Sequence, residues 1–419
     1  MQLNSSRILW IAFGLYFLIV VAQLVRGEAS QGYSEDFSNY YYTAKAYLEG
    51  VNPYDRNAVE VANGQPLLQF FYFPLSLQIF RPLTWLSFDT ARMVFLVIQC
   101  CSLIYLVFLW QSVFLKEKAD PWFFLFCMLA FNATVYLDLR AGNVSTIEQA
   151  LLWTSFYFFL RKRPVIFGIF LVLAAIFKMV LLFFALLILM LKRGERYAAL
   201  IAVGSALSIA WVTAWLTDPQ LLAQFVSHLS QTLDVASDQG IMNPASLAFF
   251  KSVSISLTAR GWIEWPEFLP WPVYFCWVAS VAFISWRALK NLDTSEDDGA
   301  RLAINFMCLV FTLVSPRLKD YSYIILLLPT YFIIARTTVI RAYPLGFILC
   351  TLYAPQGLAL PGFNLFTTAL RHYYPLALAF LVWIMYLAEF HARNSVPAST
   401  DPVPALHGFE KPALRSNRG

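Results

Sequence analysis

One acidic residue stands apart from the other polar groups of this sequence. Asp36 lies in the tyrosine-rich stretch Tyr33–Tyr42, a few residues after the first apolar segment. An ionisable group beside a lipid bilayer is costly, so such groups usually serve a function. The chemistry open to a single positioned carboxylate is proton transfer. A simpler alternative is that Asp36 caps a helix that begins at Phe37.

Polar and charged residues in five further stretches are candidates for the same site. They lie at the ends of apolar segments or in a long loop between two of them. Arginine and lysine in such places can bind an anion such as a phosphate. Each residue also has a simpler explanation as a loop charge, a snorkelling side chain or a solvated loop residue. The candidates are Asp138, Arg140, Asn143, Lys178, His228, Asp234, Asp238, Asn243, Arg317, Lys319, Asp320, Arg371 and His372.

The composition places these residues in a membrane protein. Of the 419 residues, 59% are hydrophobic, only 13% are charged and 17% are aromatic. A soluble domain has about 25% charged residues. We therefore expect an all-α polytopic membrane protein. Its net charge of +5 comes from basic residues at helix ends and indicates no nucleic-acid partner.

Apolar segments of about 20 residues predict about twelve membrane-spanning helices. No small-residue cleavage site follows the first segment, which is therefore expected to be retained rather than removed as a signal peptide. The predicted spans are residues 8–25, 91–115, 121–138, 143–160, 164–176, 178–191, 197–216, 269–289, 301–314, 321–339, 343–358 and 374–390.

The run 164–191 is too long for one ordinary span, and both of its flanks are basic. Short loops rich in lysine and arginine stay in the cytoplasm, so the chain must cross the membrane and return within this run. Lys178 then lies at the outer turn between two short helices. On this topology both termini are cytoplasmic, and the polar candidates all lie on the outer face.

Two long outer loops, 26–90 and 217–268, complete the predicted domain, which covers residues 1–390. Within the first loop, residues 70–88 are apolar but short and are interrupted by an arginine and two prolines. We expect them to form an interfacial or re-entrant piece. Residues 391–419 are rich in Pro, Ser, Asn and Arg, which is typical of a disordered cytoplasmic tail.

The cysteines and carboxylates predict neither a metal nor a cofactor. All six cysteines lie inside apolar runs, and none has the spacing of metal ligands. They are expected to pack as small hydrophobic residues. No cluster of carboxylates has metal-binding spacing either.

A series of short motifs, taken in order, resembles one enzyme family. The motifs are Asp36-Phe37-x-x-Tyr40-Tyr41, Leu48-Glu49-Gly50-Val51-Asn52-Pro53-Tyr54, Phe71-Tyr72-Phe73-Pro74, Arg81-Pro82-Leu83, Gly142-Asn143, Ala175-Ile176-Phe177-Lys178, Asn243-Pro244-Ala245-Ser246-Leu247 and Ser315-Pro316-x-x-x-Asp320. Together they resemble the polyprenyl-phosphate-mannose-dependent α-1,2-mannosyltransferases of glycosyltransferase family 87, formerly a domain of unknown function. The resemblance covers roughly residues 8–390. It implies a helix bundle of the GT-C superfamily with outer-face loops.

The resemblance also implies roles for the candidate residues. Asp36 takes the place of the family's general base, which removes a proton from a sugar hydroxyl during an inverting displacement. The candidates for binding the donor phosphate are Lys178, Arg317, Lys319, Arg140 and Arg371. The candidates for contacts with the sugar or acceptor are Tyr40, Tyr41, Asn143, Asn243, Asp320 and His372.

The implied partners are a polyprenyl-phosphate sugar donor, a glycan or glycolipid acceptor, and membrane lipid. The lipid-linked sugar is a substrate, so no cofactor is required. Short inner loops fit a bacterial inner membrane. Lys319-Asp320-Tyr321 stands where the family often has Trp and His, which leaves the donor sugar open. The alternatives are another GT-C transferase of arabinose or glucose, or one acting on lipid A or protein, then a transporter or flippase, and a non-catalytic scaffold.

Overall fold

The computed structural model describes residues 5–26, 35–116, 120–232, 240–261, 266, 268–290, 292–294, 296–336, 343–352 and 364–395. Every regular element in these ranges is a helix, and none is a strand. The prediction of an all-α protein is therefore confirmed.

The described residues form sixteen α-helices, and most predicted spans coincide with one of them to within a few residues. The helices are α1 (Ser5–Arg26), α2 (Glu35–Leu48), α3 (Arg56–Asn63), α4 (Leu75–Phe80), α5 (Phe88–Leu109), α6 (Pro121–Ala141), α7 (Ser145–Leu160), α8 (Pro164–Phe177), α9 (Arg193–Thr217), α10 (Pro219–Thr232), α11 (Ser246–Ala259), α12 (Pro270–Leu289), α13 (Asp297–Val314), α14 (Leu327–Arg336), α15 (Tyr343–Thr351) and α16 (Asn364–Ser395).

Several of these helices have the length and apolar composition of membrane spans. Shorter apolar helices are also present, including α8 and α11, so the predicted count of about twelve spans stays a prediction. The five segments that meet both criteria among the described residues are Phe88–Leu115, Pro121–Ala141, Arg193–Thr217, Pro270–Leu289 and Arg371–Arg393.

The segment 164–191 turns back at Lys178. It consists of α8 and a 3-10 helix, Met179–Met190, with Lys178 in an extended conformation between them. At 1.5 Å per residue for an α-helix and 2.0 Å for a 3-10 helix, each arm is only about 20–25 Å long. Lys162 and Lys192, just outside the two arms, line one cavity of about 650 Å³. Both ends of the segment thus lie at the same end of the bundle, as the predicted out-and-back path requires.

Helix α6 is interrupted in its middle, which the sequence did not predict. Phe131, Asn132 and Ala133 have left-handed φ values of 53°, 61° and 56°. Neither proline nor glycine is present at the break, and a left-handed conformation costs other residues roughly 1–2 kcal/mol each. A contact with another part of the chain stabilises the break: Thr134 donates a hydrogen bond of 2.9 Å to the carbonyl of Asp320. The predicted span 121–138 is therefore two helical pieces rather than one.

The two predicted long loops are largely helical. Residues 70–88 contain α4 and a 3-10 helix, Arg81–Trp85, which are both too short to span a bilayer. Residues 217–268 contain α10 and α11. The described parts of these loops therefore form helical layers on the bundle, and α2, α4 and α10 share an aromatic core with the start of α5.

At the other end of the chain, α16 continues to Ser395, a few residues into the predicted disordered tail. The rest of that predicted tail lies outside the described residues. The bundle is centred on α13, in which every residue from Gly299 to Leu313 is buried. A helix buried on all sides needs neighbours all round, which explains the packing of α12, α14 and α16 against it.

Candidate active site

Gly142 allows α2 to approach the turn between α6 and α7. It ends α6 with a left-handed φ of +66°, a conformation that glycine adopts without a steric penalty. A Cβ atom on Gly142 would lie 2.7 Å from the Cβ of Phe37. Any larger residue would push the first turn of α2 away. The close approach places Asp36, in that first turn, beside Asn143.

Asn143 holds the Asp36 carboxylate from a fully buried position. Its side-chain Nδ2 donates to Asp36 Oδ2 at 3.0 Å and to Tyr40 Oη at 2.9 Å. Its Oδ1 accepts from the backbone N–H of Ser145 at 3.0 Å and from the Ser145 hydroxyl at 2.8 Å. Because both ends of the amide have partners, its orientation is determined by the start of α7.

Two tyrosines form the side of the site next to Asp36. The hydroxyl groups of Tyr40 and Tyr72 are 2.6 Å apart. The ring of Tyr40 stacks on Phe80, with centroids 4.5 Å apart. Burial raises the pKa of Tyr40 well above its usual range, and the nearby charge of Asp36 adds to the shift. Both effects keep the Tyr40 phenol protonated and able to donate a hydrogen bond.

Lys178 reaches the site from the turn between the two arms of the segment 164–191. Its Nζ lies 2.8 Å from Ser145 Oγ, 2.9 Å from a Glu148 carboxylate oxygen and 3.4 Å from Ser322 Oγ. Ser145 in turn donates to Asn143, which donates to Asp36. A continuous chain of hydrogen bonds therefore joins Lys178 to the Asp36 carboxylate through two intermediate side chains.

The segment after α13 forms the third side of the site. The Tyr321 ring centroid lies 5.7 Å from Lys178 Nζ. The backbone N–H of Tyr321 donates to Asp320 Oδ1 at 2.8 Å. Asn243 Oδ1 accepts from the backbone N–H of Leu318 at 2.9 Å. Asn243 and Thr134 thus hold this segment in place from two other elements of the fold.

The electrostatics of Asp36 combine opposing effects. Burial is the largest of them and raises the pKa of the Asp36 carboxyl above its ordinary value. The Asn143 hydrogen bond, the charges of Lys319 and Lys178, and a hydrogen bond from Tyr321 act in the opposite direction. The net result is a raised pKa, and hence a stronger base than an exposed aspartate once the carboxyl has lost its proton.

The structure brings together only part of the predicted set. Asp36, Tyr40, Asn143 and Lys178 lie in one network, and the segment with Lys319 and Asp320 lies beside it. Arg317 instead stacks over the ring of Phe71 at 4.9 Å. Asn243 bonds the backbone near Leu318 and supports the site only indirectly.

Four other predicted residues are not joined to this network by any contact of the described residues. The Tyr41 hydroxyl donates to the carbonyl of Leu86 at 2.8 Å. His372 packs next to Gly240. Neither Arg140 nor Arg371 has a hydrogen bond or ion pair to the network.

Of the candidates on the second long loop, the structure describes His228 and Asn243. His228 stacks on Phe71, with ring centroids 5.3 Å apart. Asp234 and Asp238 lie outside the described residues. No group of three His, Cys, Asp or Glu side chains able to hold a metal occurs in the part of the chain that the structure describes.

Several residues of the network were missed in the sequence. Glu148 is the clearest case, because a lone carboxylate inside an apolar span is itself a signal of function. Asp138, by contrast, is one of the sequence candidates, and it is fully buried and accepts hydrogen bonds from the backbone and the hydroxyl of Thr146. Tyr72 and Tyr321 carry no such signal, since tyrosine is abundant throughout this sequence.

Apolar helices around a half-buried carboxylate and a lysine define this chain as an integral membrane protein with an internal polar site. The family model of glycosyltransferase family 87 matches residues 70–316, more than half of the chain. The chain therefore belongs to glycosyltransferase family 87, and it is a membrane glycosyltransferase. No curated protein sequence matches it.

This match confirms the family that the motifs predicted. The matched residues include Asn143, Glu148 and Lys178. The match begins after Asp36 and ends before Lys319, so the roles of these two residues depend on their positions in the structure.

Proposed function

We propose that this protein transfers a hexose from a polyprenyl-phosphate sugar to a glycan or glycolipid acceptor, with inversion at the anomeric carbon. Mannose is the sugar that the family resemblance favours. The observation that carries the proposal is the hydrogen-bonded chain from the Asp36 carboxylate through Asn143 and Ser145 to Lys178. It connects a proton acceptor on α2 and a cation at the bend of the segment 164–191 through the turn between α6 and α7. A displacement at a sugar phosphate requires such a base and such a cation.

Asp36 acts as the general base in this proposal. A hydroxyl oxygen of the acceptor forms the new bond to the anomeric carbon, and its proton passes to the Asp36 carboxylate. The bond from the anomeric carbon to the phosphate oxygen breaks, and its electron pair stays on the phosphate. One base is enough, and no second carboxylate is required as in a glycoside hydrolase.

Lys178 stabilises the charge that develops on the departing phosphate. A positioned ammonium group does this without rearrangement at the moment of reaction. Lys319 stabilises the same developing charge. Its ammonium group already lowers the pKa of Asp36, so Lys319 lies close to the site. Arg317, Arg140 and Arg371 stay candidates for binding the same phosphate.

The proposal includes the side of the membrane. With the basic flanks of the segment 164–191 in the cytoplasm, Asp36 and Lys178 lie at the outer face, which is the bacterial inner-membrane topology expected from the sequence. The hydrophobic lipid chain of the donor would then stay in the outer leaflet while its phosphate reaches Lys178.

The test is sugar transfer from polyprenyl-phosphate-mannose by the purified protein in nanodiscs, with slow release of mannose to water as a readout that needs no acceptor. The Asp36→Asn variant is expected to lose turnover by about 100-fold or more, the usual size of general-base catalysis, while still binding donor. Glu35→Gln is a matched control, because Glu35 is the exposed neighbour of Asp36 in the same helical turn. Equal turnover in wild type and Asp36→Asn would exclude Asp36 as the base.

A further inference from the structure

Glu148 is a buried carboxylate that the proposed chemistry does not use. Its side chain is 3% exposed, and one oxygen lies 2.9 Å from Lys178 Nζ. Burying this carboxylate costs free energy that an apolar residue would not. Two hydroxyl groups, on Ser145 and Ser322, already accept hydrogen bonds from Lys178. Beyond these two acceptors, Glu148 places a negative charge beside the ammonium group.

The geometry indicates which side of Lys178 receives a ligand. The hydrogen bond to Ser145 and the ion pair with Glu148 are short, at 2.8 and 2.9 Å, whereas the hydrogen bond to Ser322 is long, at 3.4 Å. The Lys178 side chain is 23% exposed, in contrast to Glu148. An ammonium group has three N–H donors, so an incoming phosphate oxygen replaces Ser322 most easily. Glu148 then stays bound behind Lys178 while the phosphate binds in front.

We infer that Glu148 is a positioning residue that limits how tightly Lys178 holds the lipid phosphate, and so allows the product to leave. The inference rests on the proposed function. The donor is a phosphodiester with one negative charge, whereas the departing polyprenyl phosphate is a monoester with a charge of about −1.5 to −2 at pH 7. A lysine without a counter-charge would hold this product more tightly than the donor. Glu148 makes the pair neutral and reduces that difference.

The experiment measures binding of a short-chain polyprenyl phosphate to the whole protein in nanodiscs. Glu148→Gln is expected to bind it about tenfold more tightly, equivalent to about 1.4 kcal/mol. In turnover assays the same variant should show a lower kcat together with a lower KM for the donor, because product release becomes slower. Lys178→Met should lose binding whether or not Glu148→Gln is also present.

Two further variants show whether the change in Kd comes from the charge of Glu148. Glu389→Gln is a matched control, because it removes the carboxylate of another ion pair, that with Arg393 at 3.0 Å, and should leave the Kd unchanged. Glu148→Asp keeps the charge on a shorter side chain, and its Kd should lie between those of wild type and Glu148→Gln. If Glu148→Gln does not fold, Glu148→Asp still tests the inference, because its shorter side chain should give a Kd a few-fold tighter.

Three outcomes would overturn the inference. An unchanged Kd for Glu148→Gln, with only a lower thermal stability, would make Glu148 a structural partner of Lys178. Weaker binding would mean that Glu148 is needed to place Lys178 and does not limit its affinity. Equal binding by wild type and Lys178→Met would remove Lys178 from the donor site, which is a failure of the proposed function itself.

Discussion

Asn143 donates a hydrogen bond of 3.0 Å from its side-chain amide to the Asp36 carboxylate, joining residues 107 positions apart in the sequence. The opposite end of the same amide accepts two hydrogen bonds from Ser145. Turning the amide over would break all of these bonds, so its N–H side must face Asp36. Asn143 therefore keeps a hydrogen-bond donor permanently directed at the carboxylate that we propose as the base.

The Asn143→Asp variant tests this relationship. It replaces a donor with a second carboxylate beside Asp36, which disfavours the charged form of both groups. We expect kcat at neutral pH to fall by about tenfold or more, and the acid limb of the pH profile to move to higher pH. The measurement is kcat against pH in nanodiscs. An unchanged profile would mean that Asn143 does not influence the charge of Asp36.

The wild-type pH dependence follows from the raised pKa of Asp36. A general base works only when deprotonated, so kcat/KM should rise with pH through a pKa above about 4, the ordinary aspartate value, and then level off. Lowering the pH through that pKa protonates Asp36 and abolishes transfer. The measurement is kcat/KM between pH 4 and pH 8 in wild type, with the residual rate of Asp36→Asn as the pH-independent reference. A wild-type profile flat over this range would contradict the assignment.

Gly142→Ala should displace the base by steric contact alone. The new Cβ would lie 2.7 Å from Phe37 Cβ, and φ at this position is +66°. We expect a loss of stability of roughly 1–3 kcal/mol and a larger proportional loss of kcat, since α2 must shift with Asp36. The measurements are thermal unfolding and turnover on the same preparation.

Gly64→Ala is the matched control for that variant. Gly64 also has a left-handed φ, +67°, but no atom lies within 4 Å of the position of its Cβ. It should therefore show only the conformational cost and retain normal kcat. If both variants lose turnover equally, the contact between Gly142 and Phe37 does not position the site.

Lys319 and Arg140 should behave differently although both are predicted phosphate-binding cations. The charge of Lys319 lowers the pKa of Asp36, whereas Arg140 has no contact with the network. Lys319→Gln should therefore move the acid limb of the kcat/KM profile to higher pH, and Arg140→Gln should leave it in place. A shift of the same size in both variants would indicate a general effect of net charge instead of a local one at Asp36.

Much of the architecture follows from the sequence. Runs of about 20 apolar residues must form helices in a bilayer, because no other local structure satisfies the backbone there. The basic flanks of the segment 164–191 likewise require a turn near Lys178. No residue pattern in the sequence indicates the interruption of α6 at Phe131–Ala133, because contacts with the distant segment after α13 stabilise it.

Some residues of the site can be recognised in the sequence, and others are brought to it only by the tertiary structure. Asp36, Asn143 and Lys178 are recognisable in the sequence because charged and amide groups next to apolar spans are rare and costly. Their arrangement, and the recruitment of Tyr72, Tyr321 and Glu148, depend on how helices far apart in the chain pack together. Apolar patterning determines which segments are helices but places few restrictions on which faces meet, since lipid and protein interiors are similarly apolar. Only the tertiary structure could decide that Glu148 forms an ion pair with Lys178, and that Asn143 donates a hydrogen bond to Asp36.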